Sequence, residues 1–485
     1  MPSPRRFAYL LVTLAACARA DARPKADAQP HPSRGAVTTL AAGIFGDEAV
    51  AGDEPPIGEP TRARALEHIA RAEGVAARDE AEHDDDVAVF EPAPEVIQLD
   101  SFAEVRAEPR ADAPLLGLIA IGERVEAWPA IRAKDCTHGW RPIAPKGFVC
   151  SKATTTKRKA STELLPRLPR KALVPGTYGK VNGDTAKIYE TLADAVAGRN
   201  GRTPDASLTV RRQDRVSAGG RSYWRTRHGY VATTHVRELS SSRFHGTEIA
   251  VHDQLAHPLA WARFRGNDGK IPVRARPSAS AKVIARLPAR QTTRVYATSA
   301  DGEFVLTDIG GWIARDEVRI AKRAIAPAGI GDDERWLDID LDEQVLVAYV
   351  GARPVYATMI SSGRRNHDTP TGVFRIERKV SERTMSSRVG DDDPYAVDRV
   401  PWTAYFVGSF ALHAAYWHGS FGEQKSHGCV NLSPTDARML YAWSAPAVAP
   451  GWTEVYGHAD QPGSVVRIRS KADPTPKLSG YAAEL

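Results

Sequence analysis

A chain of 485 residues is too long for one ordinary hydrophobic core, so several domains are expected. Its 42% hydrophobic and 26% charged residues exclude a wholly disordered chain, although that average hides a polar stretch near the front. The net charge of +6 suits anionic envelope polymers, whereas no Lys/Arg stripe with interleaved aromatics points to nucleic acid as a partner.

The first residues read as a targeting segment. Arg5 and Arg6 form a positive region, followed by the apolar run Phe7 to Ala16. That run is shorter than the roughly 20 residues a membrane-spanning helix needs, and it suits a signal sequence. Leu14-Ala15-Ala16-Cys17 follows and resembles a bacterial lipobox, so residues 1–17 are read as a lipoprotein signal peptide with Cys17 as the lipidated residue. The expected location is the cell envelope and periplasm, with the membrane reached through a lipid anchor only. Ala18 rather than an Asp after Cys17 favours the outer membrane, by analogy with bacterial lipoprotein sorting. Residues 18–94 are rich in Ala, Pro, Asp and Glu. They bury too little apolar surface to offset the entropy of ordering and read as a flexible tether.

Internal repeats come next. Val105-Arg106-Ala107-Glu108-Pro109 matches Val273-Arg274-Ala275-Arg276-Pro277, and each is followed by a short apolar strand. Gly147-Phe148-Val149 and Gly311-Trp312-Ile313 close the two copies. A more divergent stretch between them shares the ending as Gly229-Tyr230-Val231. Short strands broken by Gly and Pro predict small β-barrels over 95–155, 172–240 and 268–320. They resemble bacterial Src-homology-3-like modules, which implies either wall binding or a role in spacing the enzyme. Cys136 and Cys150 stand in the first module and are expected to form a disulfide in an oxidising compartment. With Cys17 assigned to lipid, Cys429 is left over and calls for an explanation.

After a Pro/Gly/Ala linker the pattern changes. Leu337, Ile339 and Leu341 alternate with Asp338, Asp340 and Asp342, the period-two signature of a half-buried strand. A return strand over 345–350 and a third over 355–361 complete a β-meander. An apolar strand over 407–412 ends at His413. Ser433-Pro434-Thr435-Asp436 reads as an N-cap, a Pro at the first helical position and an acid in the first turn, predicting a helix over 434–443. Residues 471–485 form a tail.

The chemistry concentrates in Ser426-His427-Gly428-Cys429-Val430-Asn431-Leu432, with Phe410-Ala411-Leu412-His413 upstream and Thr369-Pro370-Thr371-Gly372 before that. These motifs, in this order, resemble the L,D-transpeptidase (YkuD-type) catalytic domain, and the resemblance covers about 334–470. It implies a mainly β fold, a β-sandwich or barrel with a short helix after the nucleophile. By the same resemblance Cys429 is the nucleophile and His413 its base. Backbone N–H groups around His427, Gly428 and Cys429 would form an oxyanion hole, with Ser426 and His427 supporting the loop. Gly428 lets the backbone approach a substrate carbonyl. Asn431 either braces the loop or meets substrate, and Tyr405, Tyr416 and Trp417 either line the cleft or pack in the core. His367 and Arg364-Arg365 either meet an acidic stem peptide or remain solvated. The implied reaction is peptidoglycan L,D-transpeptidation. Cys429 attacks a diamino-acid carbonyl in a stem peptide and releases the terminal D-residue, and the acyl group then passes to an amine of the wall or of a wall-bound protein. Water as acceptor would give an L,D-carboxypeptidase. No cofactor or metal is called for. His413, His418, His427 and Cys429 leave a zinc-dependent wall hydrolase as the alternative, although their spacing matches no zinc signature.

Overall fold

The computed structural model describes residues 93–182, 185–263, 269–387 and 393–484. The expected signal segment, Cys17 and nearly all of the expected tether lie outside the described residues. The chain divides into two units, 1–78 and 79–485, and the described residues all belong to the second. It is mainly β, as expected.

The predicted meander forms as β1 (Arg335–Asp340), β2 (Val345–Val350) and β3 (Arg353–Met359). Gly351 makes the second turn with φ 52°, and a Cβ there would sit 2.1 Å from the Asp332 carbonyl oxygen. Further along the chain come β4 (Gly372–Arg375), β5 (Arg378–Ser386), β6 (Tyr395–Val407), β7 (Phe410–Ala414) and β8 (Val430–Leu432). Helix α1 (Pro434–Trp443), β9 (Trp452–Tyr456) and β10 (Val465–Arg469) follow. One sheet runs Thr247–Glu248, β3, β2, β1, β10, β4, with β1 and β10 parallel. A second sheet contains β5, β6 and β9, and β7 and β8 continue from β6. The main core lies between them: Leu337, Ile339 and Leu346 from the first sheet meet Trp402, Phe406, Leu412, Val430 and the α1 residues Leu440 and Tyr441.

Two strand expectations need correcting. β1 is not half-buried: Trp336, Leu337, Asp338 and Ile339 are all inaccessible. Phe244, Leu259, Trp261 and Phe421 cover the outer face of the sheet, a long-range packing that the period-two pattern cannot reveal. Asp338 tolerates burial because Arg467 Nε donates to it at 2.6 Å and Arg469 Nη2 at 3.0 Å. The strand expected over 407–412 spans a hairpin instead. Val407 ends β6, Gly408 turns with φ 53°, and Phe410 begins β7.

The repeat over Val105 and Val273 has the same geometry in both copies. The strand register shifts between Val105 and Arg106, and again between Val273 and Arg274. Arg106 Nη1 donates to the Ala113 carbonyl and Arg274 Nη1 to the Ala281 carbonyl, both at 3.0 Å. A Cβ on Gly147 or Gly311 would lie 2.5 Å from Val105 Cγ1 or Val273 Cγ1. The sheet of the third copy also takes in Leu259–Ala262, upstream of residue 268.

The first two stretches are joined to the catalytic region by strand pairing. Leu115–Ile119 pairs with β9, so the second sheet continues into Ala103–Arg106 and Phe148–Val149. At the other side Ser207–Arg211 pairs in parallel with the start of β6, through Ser207↔Tyr395 and Thr209↔Val397, and carries the sheet into Tyr178–Val181 and Val236–Glu238. The later part of the same β6 pairs with β7. Cys136 and Cys150 form a disulfide with Cα atoms 5.7 Å apart.

Candidate active site

The register of β7 and β8 builds the site. The two strands are parallel, with Leu412↔Val430 and His413↔Asn431 in register. Side chains alternate across a strand. Leu412, Ala414, Val430 and Leu432 enter the main core, so Ala411, His413, Cys429 and Asn431 share the opposite face. His413, Cys429 and Asn431 line one cleft of about 310 Å³ together with Ser426, His427 and Trp417.

The Cys429 loop is held from several sides. Ser361 and Asn431 exchange backbone hydrogen bonds at 2.9 Å, and Lys425 and Ser426 donate to the Ser362 carbonyl. Thr369, from the T-P-T-G turn, accepts the Gly363 N–H at 2.9 Å and donates to the Gly428 carbonyl at 2.7 Å. Gly428 has φ +113°, and a Cβ there would come within 2.6 Å of the Phe410 ring. Ser433 caps α1 by accepting the Asp436 N–H at 3.1 Å. The fully buried Asp436 carboxylate accepts from Tyr356 Oη at 2.7 Å, Thr358 Oγ1 at 2.6 Å and the Gly246 N–H at 2.9 Å. Lys379, also fully buried, closes the far end of α1 by donating to the Tyr441 and Ser444 carbonyls.

Cys429 is half-buried against Val380, Tyr405 and Ala411, and its Sγ lies 3.6 Å from the Ser409 carbonyl oxygen. Burial pushes its thiol up to about 11, a shift partly offset by the Ala411 N–H. His413 is buried, and its Nδ1 faces the Ala414 carbonyl at 3.4 Å. That contact puts the proton of the neutral ring on Nδ1 and leaves Nε2 as its free acceptor. Burial lowers His413 to about 4, so the resting pair is thiol and neutral imidazole, not the preformed ion pair that a cysteine–histidine couple can adopt.

The remaining residues divide. Ser426 Oγ donates to the Cys429 carbonyl at 2.5 Å and accepts the Gly428 N–H at 3.0 Å. Gly428 N–H is thereby spent, which narrows the expected oxyanion donors to His427 and Cys429. His427 turns to a polar cluster: its Nε2 accepts from Arg364 Nη2 at 2.9 Å, and its ring meets those of His367 and Tyr395 at 4.5 Å. Arg364 also pairs with Asp393 and is not a free surface cation. Asn431 reaches His418 Nε2 at 2.8 Å, while His418 Nδ1 accepts the Ser420 N–H. The proton of a neutral His418 is therefore on Nε2, and the amide end facing it is the oxygen. The other end is buried with no partner among the described residues. Tyr416 is not a cleft residue: it is fully buried, stacked on Tyr178 at 3.9 Å, and its hydroxyl donates to the Asp398 carbonyl at 2.5 Å. Trp417 does line the cleft, with its ring 5.8 Å from that of His413. The zinc alternative needs His413, His418, His427 and Cys429 to converge, but His418 and His427 point to separate partners. Among the described residues no three His, Cys, Asp or Glu side chains are placed to hold a metal.

Residues 334–468 match the YkuD family, the L,D-transpeptidase catalytic domain. A Bacillus subtilis (strain 168) protein named "Putative L,D-transpeptidase YciB" is 28% identical over 119 residues, which cover 22% of this chain and 59% of the relative. Among solved structures, an Enterococcus faecium L,D-transpeptidase is 21% identical with a TM-score of 0.23, covering 31% of this chain and 55% of that one. An L,D-transpeptidase from Mycobacterium smegmatis is 20% identical with a TM-score of 0.23, covering 47% of this chain and 100% of that one. The chain thus spans 59% of the length of the curated relative it matches.

The cleft has a wall outside the YkuD region that the motifs could not announce. Lys180, Ser207, Thr209, Arg237 and Leu239, all from the divergent second stretch, line it together with residues of the YkuD region. Only long-range strand pairing brings them there.

Proposed function

We propose that this protein is a cysteine-nucleophile acyltransferase acting on peptidoglycan stem peptides. The shared face of β7 and β8, which sets Cys429 and His413 beside one cleft, carries this reading. The match of residues 334–468 to the YkuD family, the L,D-transpeptidase catalytic domain, supports a peptidoglycan substrate.

In the proposed reaction, the Cys429 thiol gives its proton to His413 Nε2 as sulfur attacks the carbonyl of the diamino acid. Proton transfer accompanies attack, since burial keeps both partners neutral at rest. The tetrahedral oxyanion meets the N–H groups of Cys429 and His427. Collapse breaks the C–N bond to the terminal D-residue, whose amine leaves with the proton from His413, and a thioester remains on Cys429. An acceptor amine then loses a proton to His413 and attacks the thioester, which restores the thiol. The unpaired end of the Asn431 amide and the Trp417 ring are the proposed peptide contacts. We place the reaction in the envelope, with Cys17 as the lipid attachment point.

The test is acylation by a carbapenem, read by intact mass, for the full chain and for Cys429→Ala. One adduct on the first and none on the second is expected; full labelling of Cys429→Ala would sink the assignment. Muropeptide analysis after incubation with each protein then separates transfer to an amine from transfer to water.

A further inference from the structure

The cleft that holds Cys429 also carries an unusual pair of charges from the second stretch. Lys180 and Arg237 stand directly opposite each other on antiparallel strands, in the register Arg237↔Lys180. Like charges so placed repel and destabilise the ladder. Both side chains are exposed, both line the cleft, and among the described residues neither has a carboxylate partner. Lys180 is also in register with Thr209 on the neighbouring strand, and Thr209 lines the same cleft. Asp393, the one acid among the lining residues, is taken by Arg364. Lys425 adds a third cation from the catalytic loop. The cleft lining therefore presents three cations, while its one acid is already paired. This wall is fixed in place, because Ser207–Arg211 extends the catalytic sheet along the same β6 strand that pairs with β7.

We propose that Lys180, on the central strand, with Arg237 and Thr209 on the strands either side of it, forms a carboxylate-reading subsite for the acyl-donor peptide. The second β-module is then part of the substrate site and not a spacer. Two cations and a hydroxyl on three adjacent strands match a carboxylate, which accepts several hydrogen bonds at once. The specificity inferred is for a donor that keeps a free carboxylate near the scissile bond over one in which that group is amidated. The inference rests on the transpeptidase reading for the identity of the donor, but not for the presence of the cations.

The experiment compares two synthetic tetrapeptide donors, identical except that the diamino-acid carboxylate is free in one and amidated in the other. Binding is measured by calorimetry on full-length Cys429→Ala, with and without K180E/R237E. About tenfold or greater weakening by K180E/R237E for the free-acid donor, with the amidated donor within about twofold, is expected. The preference should shrink as salt rises. K180Q/R237Q should lie between, and its circular dichroism controls for folding. Equal affinity of Cys429→Ala for the two donors, or equal weakening of both by K180E/R237E, overturns the subsite. Selective binding together with a failure of the unsubstituted protein to turn over either donor would overturn the transpeptidase reading while leaving the subsite standing.

Discussion

Replacing Thr369 with Val keeps the shape of the side chain and deletes one hydroxyl. In the native fold that hydroxyl accepts the Gly363 N–H at 2.9 Å and donates to the Gly428 carbonyl at 2.7 Å, and Thr369 is 5% exposed. Val can do neither, so a buried donor and a buried acceptor lose their partner together. Each orphaned group costs about 1–3 kcal/mol, so the variant should lose about 2–6 kcal/mol. That is a large share of the roughly 5–15 kcal/mol that holds a typical domain together. The loss is also local, because Gly428 precedes Cys429. Two assays read it: urea denaturation for the global loss, and the rate of Cys429 alkylation by iodoacetamide for release of the loop. A midpoint shift with a several-fold change in alkylation rate is expected. If Thr369→Val unfolds within about 0.5 kcal/mol of the parent and alkylates at the same rate, the turn does not hold the Cys429 loop.

Four further outcomes follow from the same geometry. Alkylation of Cys429 should rise about tenfold per pH unit from pH 7 toward about 11, since burial raises the thiol; a plateau reached below pH 7 would mean that the thiolate already exists at rest. His413 and His418 are both lowered to about 4 by burial, so the unfolded chain binds their protons more tightly than the folded one. Stability should therefore be full above about pH 6.5 and fall as pH drops toward 4, measurable as a declining urea midpoint that weakens in His418→Asn. Asp436→Ala strips the acceptor from Tyr356, Thr358 and the Gly246 N–H, and should cost about 3–5 kcal/mol in the same denaturation assay. Reducing the Cys136–Cys150 bridge opens a fourteen-residue separation and should cost about 3 kcal/mol, with hydrogen exchange accelerating first around Ile131 and Trp140.

What could be read from the sequence was local. The cap, proline and acid of Ser433-Pro434-Thr435-Asp436 specify a helix by themselves, and α1 runs over the predicted Pro434–Trp443. The meander turns and the paired Val105 and Val273 repeats are likewise set by neighbouring residues. Placement was harder. Tyr416 and Trp417 are adjacent and similar, and only the stacking of Tyr178 against Tyr416 decides which one is core. His427 stands two residues from Cys429, yet Arg364, far upstream, orients it. Gly428 reads as a backbone donor until Ser426 Oγ is found at 3.0 Å. The half-buried reading of β1 failed because its outer face is covered by residues from 244 to 261, and a strand's own alternation does not record what is laid over it.

The shared sheet bears on where this protein can be cut. By motif, the YkuD match begins at residue 334, which invites truncation there. Such a fragment would lose Leu115–Ile119 from β9 and Ser207–Arg211 from β6. Both strands would then expose rows of unpaired N–H and C=O groups, a template for adding strands from other molecules. Trp452 and Val455, buried among the first module's residues, would come into solvent with them. The fragment that holds every motif residue is thus a poor candidate for a soluble monomer, and work on this protein in solution is better begun near residue 93.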